Sequence, residues 1–142
     1  MPNCYDLASF ILRERGEMTT FKLHKLVYYC QAWSLVWDDK PLFPERIEAW
    51  ANGPVVPRLY DLHKGAFKII KCSRGKPDIF DKEQRATIHA VLKYYGGKSS
   101  QWLTDLTHKE PPWRNARKGL GPSDRGNREI SHASMVEYYS SL

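Results

Sequence analysis

Leu23-His24-Lys25-Leu26-Val27-Tyr28-Tyr29-Cys30-Gln31-Ala32-Trp33 is the stretch on which the fold turns. Leu23, Leu26, Val27, Cys30, Trp33 and Trp37 recur at the three-and-four spacing of a helix with one buried stripe. Lys22, Lys25 and Gln31 lie off that stripe, outside the face expected to be buried. Thr19 or Thr20 can open the helix, and Asp38-Asp39-Lys40-Pro41 ends it near Trp37.

Toward the N-terminus, Asn3 is placed to cap a helix over residues 4 to 15. Leu7, Phe10 and Ile11 face inward and Gly16 supplies the stop. Toward the C-terminus, Ile47-Glu48-Ala49-Trp50 alternates as a half-buried strand does. Asn52-Gly53-Pro54 turns the chain, and Pro57 suits the first position of a short helix closed by Gly65. Phe67-Lys68-Ile69-Ile70-Lys71 reads as a second strand pairing with residues 46 to 50. Asp81 with Gln84 forms a capping box for a helix carrying Ile88, Val91, Leu92 and Tyr95. Ser99 or Ser100 starts the next helix, which Pro111-Pro112 stops. Residues 117 to 129 read as a loop, and Ser131 caps a last helix through Tyr139. The expected fold is mainly α: a compact single-domain helical bundle over residues 1 to 142, of about six helices, with a small β-hairpin or short two-stranded sheet.

Composition agrees with a real core. Of 142 residues, 42% are hydrophobic and 13% aromatic, too many for a disordered chain. Area scaling predicts a folded surface of roughly 7,500 Å² against about 24,000 Å² unfolded. No apolar run is long enough to span a membrane. The N-terminus shows no basic region and no cleavage site, so no signal peptide is expected. Cys4, Cys30 and Cys72 form no C-x-x-C pair. Reduced thiols in a cytoplasmic protein fit them best.

The net charge of +6 is uneven. Residues 64 to 76 hold Lys64, Lys68, Lys71, Arg74 and Lys76 and no acid. Residues 113 to 129 hold Arg114, Arg117, Lys118, Arg125 and Arg128 against Asp124 and Glu129. Such segments attract RNA, DNA or an acidic protein face, or serve only as a solvated surface.

Catalytic signatures are scarce. The five histidines, His24, His63, His89, His108 and His132, show no helical zinc spacing. There is no phosphate-binding glycine loop and no nucleophile elbow. His63 reads as a hydrogen-bonded, partly buried histidine and Cys30 as an inert packed thiol. Acid–base work at Thr107-His108-Lys109-Glu110 is the enzymatic alternative, and it requires a second titratable group beside His108. No metal and no cofactor are expected.

Three clusters are more specific than packing demands. They are residues 23 to 33 quoted above, Glu48-Ala49-Trp50-Ala51-Asn52-Gly53-Pro54-Val55-Val56-Pro57-Arg58-Leu59-Tyr60, and Leu106-Thr107-His108-Lys109-Glu110-Pro111-Pro112-Trp113-Arg114-Asn115-Ala116-Arg117. In this order and spacing they resemble the Panacea family, also described as SocA-like or GepA-like, over roughly residues 7 to 120. The resemblance implies a non-enzymatic antitoxin of a type II toxin–antitoxin pair, bacterial or prophage-borne, that neutralises a cognate toxin by direct protein binding. In the SocA branch the antitoxin is also an adaptor that delivers its toxin to the ClpXP protease. Some relatives carry an added helix-turn-helix domain, for which this chain has no room.

Tight interfaces are anchored by Trp, Tyr and Arg. Trp113, Arg114 and Arg117 therefore form a candidate exposed anchor set, with His108, Lys109 and Arg58 as further partner-binding candidates. Trp50 and Tyr60 are expected in the core, whereas Trp113 fits either core or surface. The rival function is an RNA- or DNA-binding module using the basic segments 64–76 and 113–129.

Overall fold

Helix α2 (Thr20–Trp37) is the axle of the molecule, and most of the remaining helices pack directly on it. The computed structural model describes residues 1–142. Every residue of α2 from Leu23 to Ala32 is buried, the polar ones included. A helix enclosed on all sides has no outer face. Lys25 and Gln31, expected off the buried stripe, are therefore inside with the rest.

Six more helices complete the helical part of the fold. These are α1 (Cys4–Arg15), α3 (Pro57–His63), α4 (Lys82–Tyr95), α5 (Ser100–Lys109), α6 (Pro111–Ala116) and α7 (His132–Tyr139). Asn3 and Asp6 close a capping box at α1, and Asp81 and Gln84 close one at α4. Ser99 and Ser131 cap α5 and α7 through their side chains. α6 is the helix beyond the expected six. Pro111 ends α5 but, at a first helical position where no N–H is needed, also opens the next helix. The accessible surface is 7439 Å², close to the value size alone predicts.

Two small antiparallel sheets complete the fold. β2 (Glu48–Trp50) and β3 (Gly53–Val55) form a hairpin across Ala51-Asn52. β1 (Met18–Thr19) pairs with β4 (Lys68–Ile69). The expected pairing of residues 67–71 with residues 46–50 is thus incorrect. β2 has no edge left for it, because β3 takes one side and residues 128–130 take the other. Ala49 N–H donates to Arg128 O at 2.9 Å, and Ile130 N–H to Ile47 O at 2.9 Å. The 67–71 segment instead meets the chain entering α2, where Thr20 N–H donates to Phe67 O at 3.0 Å.

The polar residues buried with α2 find partners along most of its length. Gln31 accepts from Leu42 N–H at 2.7 Å and donates to Phe43 O at 2.9 Å, which fixes the loop after α2. Tyr29 and Tyr139 donate to the Glu110 carboxylate at 2.6 and 2.8 Å, and the Tyr28 hydroxyl lies 3.0 Å from that of Tyr139. Tyr29 also stacks on Tyr95 with centroids 4.1 Å apart. Burial pushes all three buried phenols and the Glu110 carboxyl upward in pKa, so none of this network favours ionisation.

Candidate functional site

The β2–β3 hairpin is held from three directions by side chains, and the grip creates a cavity. From α6 and the residue after it, Trp113 Nε1–H donates to Trp50 O at 2.8 Å and Arg117 donates to Ala49 O at 2.9 Å. From α5, His108 backs this grip by stacking flat on Trp113, centroids 4.0 Å apart. From α2, His24 Nδ1 accepts from Val56 N–H at 3.3 Å. The three sequence clusters that carry the family resemblance are therefore one constellation in space.

Gly53 shows why the hairpin tolerates no side chain at its turn. Its φ of +132° lies where L residues are strained, and a Cβ would meet Lys25 Cε at 3.1 Å. The space that a side chain would fill belongs to the Lys25 stem. Lys25 is only 2% exposed and has no acidic partner; its one hydrogen bond is a long one to Phe21 O, 3.4 Å. Burial lowers its ammonium to about 8.

Beside Lys25, the rings of His24 and His63 meet through their Nε2 atoms at 2.7 Å. Their tautomers follow from the bonding. His24 accepts at Nδ1, so its proton sits on Nε2 and is donated to His63 Nε2. The His63 proton must then be on Nδ1, which is buried and has no partner. Burial, then the adjacent His63 and Lys25, bring His24 down to about 3, and burial also lowers His63. Both rings are neutral at pH 7.

These residues line a cavity of about 550 Å³ between α2, the hairpin and α3. Trp50 and Tyr60 stand edge to face along one side at 4.9 Å, and Phe21 and Phe67 flank the opening. Arg125 lies over Trp50, 3.9 Å from the ring centroid. No Asp or Glu is among the lining residues. Trp50 and Tyr60 were expected in the core; both are only partly buried, because they wall this space instead.

The sequence-derived candidates divide. His108, Trp113 and Arg117 come together, but Arg117 is not an exposed anchor. It is 6% exposed and donates to the carbonyls of Ala49, Gly121, Asp124 and Arg125. A Cβ on Gly126 would sit 2.7 Å from its Nη1, so glycine is required there. Arg117 is a clamp for the 118–129 loop, and its charge is lost to the second basic segment. Trp113 is half-buried, with Arg117 over its ring at 5.4 Å. Arg114 and Lys109 are exposed. Arg58 lies apart, paired with Glu45 and 4.9 Å over the Tyr5 ring. His108 meets no carboxylate, and its Nε2 is buried without a partner.

Sequence reasoning missed His24, Lys25, Phe21, Phe67 and Arg125. A signal existed for the first two. A cation and an imidazole amid the most apolar turns of the chain must be buried if that helix is central. No group of three or more His, Cys, Asp or Glu is placed to hold a metal ion, and no helix is long and apolar enough to cross a membrane. All three cysteines are free and buried, with Cys4 pushed up to about 12 chiefly by burial.

No curated protein and no solved structure matches the chain. The family described as antitoxin SocA-like, Panacea domain matches residues 23–114. That span is well over half of the 142 residues and contains the His24, His108 and Trp113 contacts at the hairpin, while Arg117, Arg125 and residues 128–130 lie beyond it. The chain belongs to this family.

Proposed function

We propose that, as a member of the SocA-like Panacea antitoxins, this chain neutralises a toxin protein by binding it directly through the face around the cavity. Family membership carries the reading. The surface supports it. Phe21 and Phe67 are 45% and 64% exposed at the opening, and large apolar side chains left in water beside a cavity mark a contact site. Lys64 and Lys68 flank Phe67 in sequence and are exposed as well, which favours an acidic partner face. Arg114 and Lys109 extend the set of free cations.

An interface of ordinary size, about 800 Å² per partner, would use roughly a tenth of this surface. Lasting neutralisation requires nanomolar binding, about 12 kcal/mol. A few aromatic and arginine anchors supply energies of that order when they are fully desolvated.

Co-expression with the adjacent gene tests the reading. The expected result is rescue of growth together with a stable complex on pull-down. Toxin that stays abundant yet inactive is blocked in place. Toxin that disappears only when ClpXP is present is delivered to it. A chain that rescues nothing, and instead binds RNA or DNA with a steep salt dependence, would put the basic segments to a different use.

A further inference from the structure

We propose that the cavity beneath Phe21 and Phe67 is a binding site for a carboxylate carried on a flat apolar group, with Lys25 as counter-ion, His63 Nδ1–H as the directing donor and Arg125 on Trp50 as the closing wall.

The charge argument comes first. Lys25 is buried among the lining residues without an acid, although an ammonium carries three donors. An unpaired buried charge destabilises a fold. A cation retained under that penalty is prepared for an anion that arrives from outside. Arg125 adds a second cation at the wall, and it belongs to none of the molecule's ion pairs.

The donor argument is independent of charge. The relay from Val56 N–H through His24 to His63 leaves one N–H on His63 that nothing in the chain accepts. His63 is 8% exposed and lines the cavity. Buried donors are ordinarily satisfied, and an orphan in a cavity wall marks the place of an absent acceptor. One ammonium, one fixed N–H and one planar guanidinium suit a planar monoanion. A phosphate dianion would need more N–H groups than the floor supplies.

The shape argument fixes the rest of the ligand. Trp50, Tyr60, Phe21 and Phe67 are among the walls, and rings of this kind suit a flat apolar body. The volume of about 550 Å³ falls within the usual range for small-ligand sites. Two sources share this chemistry: a free aromatic or similarly flat organic acid, and an acidic residue beside an aromatic one on a partner chain. The second source rests on the antitoxin reading; the site itself does not.

The full chain is titrated with benzoate, and with benzamide as its uncharged analogue, while the Trp50 indole and His63 ring signals are followed by NMR. The expected result is saturable benzoate binding that moves both signals, with benzamide weaker by about tenfold or more. Lys25→Met and Arg125→Gln should each weaken benzoate by a similar factor. Arg125 is exposed, so its variant reports even if Lys25→Met fails to fold. Equal binding of the two probes, no movement of either signal, or an Arg125→Gln variant that binds benzoate as the parent does would overturn the site.

With benzoate binding established, the toxin from the adjacent gene separates the sources. Competition between toxin and benzoate assigns the carboxylate to the partner chain. Toxin binding that ignores benzoate assigns it to a free acid. If no toxin binds at all, the antitoxin reading falls while the carboxylate site stands.

Discussion

His24-Lys25 and Tyr28-Tyr29 occupy consecutive turns of α2, one residue pair above the other, and both pairs are buried. Their surroundings differ. The tyrosines close on Glu110 and Tyr139, and no fully buried side-chain donor or acceptor in that group lacks a partner. The histidine and lysine face a cavity, and the chain leaves His63 Nδ1 and most of the Lys25 ammonium unserved. A closed polar network rigidifies a core, whereas a half-closed one destabilises it unless something else completes it. On the proposal above, the tyrosine turn is scaffold and the histidine turn is the floor of the ligand site.

The sharpest way to break that comparison is acid. His24 has a folded pKa of about 3 against 6.5 for the free group. Its neutral form therefore stabilises the fold fully above pH 6.5, and that stability is lost as the pH falls toward 3. His63 and His108, both lowered mainly by burial, add to the same slope, and Lys25 reinforces it at His24 and His108. Glu110 has the opposite sign. Its raised pKa gives stability that is present below 4.5 and lost as the pH rises through the folded value. Urea titrations from pH 7 to pH 4 should show a loss on the order of 3 kcal/mol. The loss should flatten in His24→Gln. An unchanged slope in that variant would remove the histidine pair from the account.

Glu110→Leu attacks the closed half. It leaves two buried phenols without their acceptor and should destabilise the chain by about 3 kcal/mol in chemical denaturation. Arg117→Ala follows at about 2 kcal/mol, because several loop carbonyls lose a charged donor. It should also quench ordering of residues 118–129, visible as faster amide exchange there. Lys25→Met is the smallest and has the other sign: a change within about 1 kcal/mol, toward greater stability, since a buried unpaired charge is replaced by an apolar chain of similar length. If Lys25→Met were as damaging as Glu110→Leu, the two turns would not differ in kind.

Much of this architecture was legible in the sequence. Local rules fixed α1, α2 and α4, because Asn3, Thr19 and Asp81 cap them and Gly16 and Gly96 follow them. Periodicity alone could not tell that α2 is central. It showed one apolar stripe, and only tertiary packing buries Lys25 and Gln31 on the remaining sides. Strand pairing was misread for a similar reason. β4 is two residues long, and its partner is set by where α1 ends rather than by any pattern within residues 67–71. Arg117 resembled a surface anchor in sequence, since no pattern reveals that three carbonyls of the following loop and the remote Ala49 carbonyl converge on it. The cavity was invisible because its walls come from α2, the hairpin, α3 and the 118–129 loop.

The crowding of β2 limits how another protein can engage this face. With main-chain bonds satisfied to left and right, that strand cannot template an incoming one, and recognition by strand addition is closed off there. Any selectivity along that strand must then reside in side-chain chemistry rather than in main-chain pairing.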